Sequence, residues 1–129
     1  MDMKITFPGG KKVNAEIDGF THKTDQSLIS GGEESAPEPF SLFLSSIGTC
    51  TGIYVLRFCQ ERDINTDDME IIQSMNLNPI SGMIDEIKLN IILPEGFPDK
   101  YKKAVVKTAN LCAVKKHMEK PPQFIITTT

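Results

Sequence analysis

The chain has 129 residues, 40% of them hydrophobic and 24% charged, a length and balance that suit one soluble domain, residues 1–129, around a single core. A formal net charge of −3 argues against a nucleic-acid surface, which would need a basic stripe. Three cysteines form an odd set and no basic, apolar leader opens the chain, so free thiols in a reducing cytoplasm are expected rather than a disulfide framework.

The first elements alternate apolar and polar residues between glycine turns, as antiparallel strands do. Met3 to Phe7 runs into Pro8-Gly9-Gly10, Lys11 to Ile17 runs into Asp18-Gly19, and Phe20 to Thr24 completes a meander. Ser27 to Pro39 reads as loop, with two glycines, prolines and acids. Pro39 suits the first turn of a helix, where its missing N–H would be unpaired anyway, and the pattern predicts a helix from about Pro39 to Arg62.

Glu70 to Met75 and Glu86 to Leu93 read as a second hairpin around Asn78-Pro79-Ile80-Ser81-Gly82. A second helix is expected from about Asp99 to Glu119, its lysines leaving a stripe of Tyr101, Ala104, Val105, Thr108, Leu111 and Cys112. Pro121-Pro122 stops it, and Phe124 to Thr128 is β-branched and predicts a last strand. The order describes an α+β domain with two long helices.

Phe40 to Leu56 is uncharged, yet its serines, threonines and glycines make it too polar for lipid on all sides. A central helix covered by protein, including a partner subunit, fits better. Cys50 lies in this helix and Cys112 in the second, and packing the two helices together would make one dithiol centre. Cys59 is nine positions after Cys50, about 180° around the helix, and is expected in the core. His117 is about 140° around from Cys112 and is not placed to serve that sulfur as a base. With no short-spaced ligand pair, no metal site is expected.

On these elements and on two segments, Pro39-Phe40-Ser41-Leu42-Phe43-Leu44-Ser45-Ser46-Ile47-Gly48-Thr49-Cys50 and Leu111-Cys112-Ala113-Val114-Lys115-Lys116, the chain resembles the OsmC/Ohr family of osmotically inducible and organic hydroperoxide resistance proteins. The resemblance implies an intertwined homodimer, with long central helices between antiparallel sheets from both subunits. It also implies a thiol-dependent peroxidase without a cofactor, in which Cys50 reduces an organic hydroperoxide and Cys112 resolves it. The implied partners are a small lipophilic peroxide and a dithiol reductant such as a lipoylated protein.

Three positions depart from the family pattern. No arginine occurs before Arg57, where the family places one in the N-terminal hairpin; Lys11 or Lys12 stands nearest, and a lysine lacks the two-pronged grip of a guanidinium. Glu38 precedes the proline instead of following it, and Ala113 replaces the proline after the second cysteine. An alternative is therefore a non-catalytic dimer that senses redox state or binds a lipophilic small molecule. The plain reading of the residues alone is two buried core cysteines. Phe40, Phe43, Leu44, Ile47, Tyr54 and Phe58 form a core stripe whose second reading is the wall of an apolar pocket. Glu33, Glu34 and Glu38 read as solvated loop charges, and His22 as a solvated surface residue.

Overall fold

The computed structural model describes residues 1–129. The order is β1 (Lys4–Gly9), β2 (Lys12–Ile17), β3 (Phe20–Thr24), α1 (Pro39–Gln60), β4 (Glu70–Leu77), β5 (Ile84–Ile92), one 3-10 turn (Asp99–Tyr101), α2 (Lys102–Ala109) and α3 (Ala113–Glu119). The fold is α+β with two antiparallel sheets. The chain divides into two compact units, residues 1–45 and 46–129.

In the first unit β1, β2 and β3 form a meander. Asp18 and Gly19 both have positive φ, which is the demand of the two-residue turn that matches strand twist, and Ile17 pairs with Phe20 across it. The loop after β3 is organised by a carboxylate. Asp25 is fully buried, and its oxygens accept from the backbone N–H groups of Gln26, Glu33 and Ser35 and from the Ser35 hydroxyl. Glu38 accepts from Ser27 N and Glu34 from Leu28 N, so these acids tie the loop together rather than merely solvate it.

Helix α1 begins where the Glu38 carbonyl accepts from Ser41 N and Leu42 N. It ends in a Schellman motif. Ile64 N donates to Cys59 O, Asp63 N donates to Gln60 O, and Asp63 takes the left-handed conformation at φ 52°. By length and composition α1 could cross a membrane. Its Ile47, Thr51, Val55, Phe58 and Cys59 are buried.

The second unit's core joins Val55, Phe58 and Cys59 of α1 to Phe97 and Val105, with Ile71, Ile91 and Leu93 packed alongside. Strands β4 and β5 pair from Glu70↔Ile92 to Leu77↔Ile84, and alternation along β5 turns Ile87, Leu89 and Ile91 inward. Arg62 lies 3.7 Å over the Phe58 ring and donates to the Phe58 carbonyl, closing the C-terminal end of the helix over the Tyr101 turn.

Two elements differ from expectation. The second helix is broken at Asn110–Cys112 into α2 and α3, because Cys112 takes an extended ψ of 124°. Asn110 stabilises the break: its side-chain N–H donates back to Val106 O, and its carbonyl oxygen accepts from the Lys115 ammonium at 2.7 Å. The fold thus has one long helix and a broken one. Residues Phe124 to Thr128 form no strand, since β-branched propensity gives no ladder without a paired edge, and Phe124, Ile125 and Ile126 are exposed.

Candidate dithiol site

The break places Cys112 at the N-cap of α3, with Ala113 at the first helical position, the one helical place where a proline is readily accommodated. Cys112 is fully buried, whereas Cys50 in α1 is only partly buried. All three thiols are free.

The two sulfurs come together. Cys50 and buried Thr51 stand near the Cys112 sulfur, as do the N–H groups of Lys115 and Val114, although Cys112 makes no side-chain cap bond to α3. In its protonated form the Cys112 thiol faces the Ile47 carbonyl at 4.0 Å. Burial pushes the Cys112 thiol up, but these donors outweigh it and hold the thiol below its ordinary value.

Thr51 was legible only as a small β-branched neighbour of Cys50. Its signal is positional: four residues after Ile47 on the buried face, it can also bond the Ile47 carbonyl, and does so at 2.8 Å.

The other candidates lie apart from the pair. Cys59 is in the core, 3.8 Å from the Met69 sulfur, and burial pushes its thiol up while Arg62 opposes. His117 binds through Nδ1 to the Ala113 carbonyl, one turn back on its own helix. No group of three potential metal ligands forms. In the first unit Lys12 Nζ is paired with Glu33 at 2.6 Å, and this bond raises its proton affinity against a smaller opposing effect of burial. His22 is exposed on β3.

A cavity of about 550 Å³ is walled by Ile47 and Thr51 of α1, by Ile87, Leu89 and Ile91 of β5, and by Val105 and Ala109 of α2, with Asp85, Glu86, Asn90, Asn110 and Lys115 adding polar groups and neither cysteine in the wall. The wall is thus mainly sheet and α2. The Phe40 and Phe43 rings of the α1 stripe stack on each other at 5.5 Å and stay largely exposed.

The profile of the family described as OsmC-like protein matches residues 31–127. No curated protein matches the chain. Among solved structures, an osmotic stress induced and detoxification response protein from Psychrobacter arcticus superposes with a TM-score of 0.73, at 20% identity over 88% of this chain and 85% of that one. An OsmC like protein from Mycoplasma pneumoniae gives 0.67 at 16% identity, covering 93% and 87%. An organic hydroperoxide resistance protein from Elizabethkingia anophelis gives 0.62 at 16% identity, covering 94% and 90%. The profile match extends over most of the chain, both cysteines included, and the chain belongs to the OsmC-like protein family.

Proposed function

We propose that the protein is a cytoplasmic, homodimeric thiol peroxidase that reduces organic hydroperoxides in defence against oxidative stress, with Cys50 as nucleophile and Cys112 as resolving thiol. The observation that carries this reading is the pair itself: a partly exposed Cys50 near a buried Cys112, brought from separate elements. A peroxide can reach the outer sulfur. The inner one is placed to condense with the sulfenic acid that results.

The apolar cavity beside Ile47 and Thr51 supports lipophilic over small polar peroxides. Turnover then needs an external dithiol, and a lipoylated protein has the required chemistry. Consumption of cumene hydroperoxide with dihydrolipoamide tests the reading. Cys50→Ser should abolish turnover, and one equivalent of peroxide should give a Cys50–Cys112 disulfide by peptide mapping; unchanged turnover in Cys50→Ser would sink the proposal.

The second reading, a redox-sensing or lipophile-binding dimer without turnover, is favoured by the occupied state of Lys12. The cation nearest the family's arginine position is held by Glu33. Absence of both turnover and disulfide in the intact protein would select it.

A further inference from the structure

The Cys112 sulfur lies 4.0 Å from the Ile47 carbonyl oxygen. A helical carbonyl points along the axis towards the N–H four residues on, so the Ile47 oxygen stands at the level of Cys50 and Thr51, and the Thr51 hydroxyl donates to it as well. The Cys112 thiol is thus hung on α1 at the turn that carries Cys50. What keeps it there has to come from the chain around the helix break, because the thiol makes no cap bond to α3 and the Cys112 N–H reaches Ala109 O only at 3.4 Å.

A side-chain hydrogen bond spans that break. Lys115 Nζ donates to Asn110 Oδ1 at 2.7 Å, and Asn110 Nδ2 donates to Val106 O, so the first turn of α3 is tied through Asn110 to the last turn of α2. Lys115 sits near the positive end of α3, where a cation is disfavoured and an acid would be the ordinary choice. The Asn110 oxygen gives the ammonium a partner outside the helix, and the two residues bracket Cys112 from either side in sequence.

We propose that Asn110 and Lys115 are positioning residues for the resolving cysteine: their bridge holds the bend at residues 110–112 so that the Cys112 sulfur stays against α1, within reach of Cys50. This rests on the peroxidase reading above and adds two residues to the same site. In the step they serve, the Cys112 sulfur attacks the sulfenic sulfur of Cys50 and the S–S bond forms. The S–O bond breaks with its electron pair on the departing hydroxide, which takes up the proton given up by the Cys112 thiol and becomes water. A sulfenic acid left unresolved is open to a second hydroperoxide: its sulfur takes the terminal oxygen of ROOH, the O–O bond breaks, and Cys50 sulfinic acid and ROH result. The two fates compete, and the placement of Cys112 sets the partition.

Under excess cumene hydroperoxide, Lys115→Met and Asn110→Leu should each raise the ratio of Cys50 sulfinic acid to Cys50–Cys112 disulfide about tenfold, the scale of one hydrogen bond to a charged group, as read by mass spectrometry of the cysteine peptides. Lys115→Arg keeps a donor and Asn110→Asp an acceptor, and both should stay close to the unsubstituted protein. The double variant should be no worse than either single one, since both substitutions remove the same bridge. An unchanged ratio in Lys115→Met, or additive effects in the double variant, overturns the inference.

A glutathione redox buffer supplies a readout that needs no peroxide. Oxidised glutathione takes two electrons from the dithiol and leaves as two molecules of glutathione, and the equilibrium share of Cys50–Cys112 disulfide reports how well the two sulfurs are placed. This equilibrium should move about tenfold towards the dithiol in Lys115→Met and return in Lys115→Arg. If it does so while cumene hydroperoxide leaves Cys50 unoxidised, the positioning role stands and the peroxidase reading falls. An equilibrium identical in folded Lys115→Met and the unsubstituted protein removes the positioning role and leaves the peroxidase reading intact. A protein that forms no Cys50–Cys112 disulfide with either oxidant refutes both.

Discussion

At the residue scale, charge and burial are matched to hydrogen bonds. The Ser35 hydroxyl and the N–H groups of Gln26, Ser35 and Glu33 outweigh burial at Asp25 and lower its pKa to about 2. A depressed carboxylate contributes stability that is complete above its ordinary value near 4 and is lost as pH falls towards the folded value. The amide NMR shifts of Gln26, Glu33 and Ser35 should therefore titrate with a midpoint near 2. A common midpoint near 4 would show that the carboxylate does not hold this loop.

Cys59 makes the opposite case. Buried beside Met69, with its thiol pushed up by burial, it should resist alkylation in the native protein at neutral pH. Cys59→Ser places a hydroxyl in that core and should cost about 1–3 kcal/mol in urea denaturation, while leaving the titration of Cys112 unchanged.

At the element scale, the loop between β3 and α1 depends on one glycine for space rather than for an unusual φ. A Cβ on Gly32 would lie 2.1 Å from the Gln26 carbonyl oxygen, a backbone atom that cannot swing aside. Gly32→Ala should destabilise the loop by roughly 1–3 kcal/mol and speed cleavage by a glutamate-specific protease at Glu33–Glu34. Equal cleavage rates in the two proteins would mean that the loop relaxes freely.

The helix break shows why the site was only partly legible. Tyr101, Ala104, Val105, Thr108, Leu111 and Cys112 keep a helical period straight through it, since periodicity reports which residues face the core and not whether the backbone is continuous. The ladder instead tightens after Asn110, where Leu111 N donates to Thr108 O and Cys112 N to Ala109 O three residues back, and the extended Cys112 becomes a cap rather than a mid-helix residue.

At the scale of the whole molecule, exposed apolar side chains are numerous in both units: Phe7, Phe20 and Phe40 in the first, Ile72, Leu77 and Phe124 in the second. That much apolar surface is what an association face requires. The protein is expected to sediment at twice the 14.3 kDa chain mass at micromolar concentration, and Ile72→Glu to shift it towards monomer. A monomeric unsubstituted protein would remove the dimer from the functional proposal.

The sequence by itself determined the order of the elements as far as β5, the Asp18-Gly19 turn, the α+β class and the family, because turn chemistry and hydrophobic period are local and survive without neighbours. It also marked Cys50 and Cys112, and it set Cys59 and His117 aside by helical angle. The expected strand at Phe124 to Thr128 needed a paired edge that local propensity cannot supply. Only the tertiary structure decided that Thr51 of α1 and the buried Cys112 thiol share one acceptor, the Ile47 carbonyl, which sets Cys112 against α1. Such a meeting depends on where separate backbones pack, and no spacing along the chain encodes it.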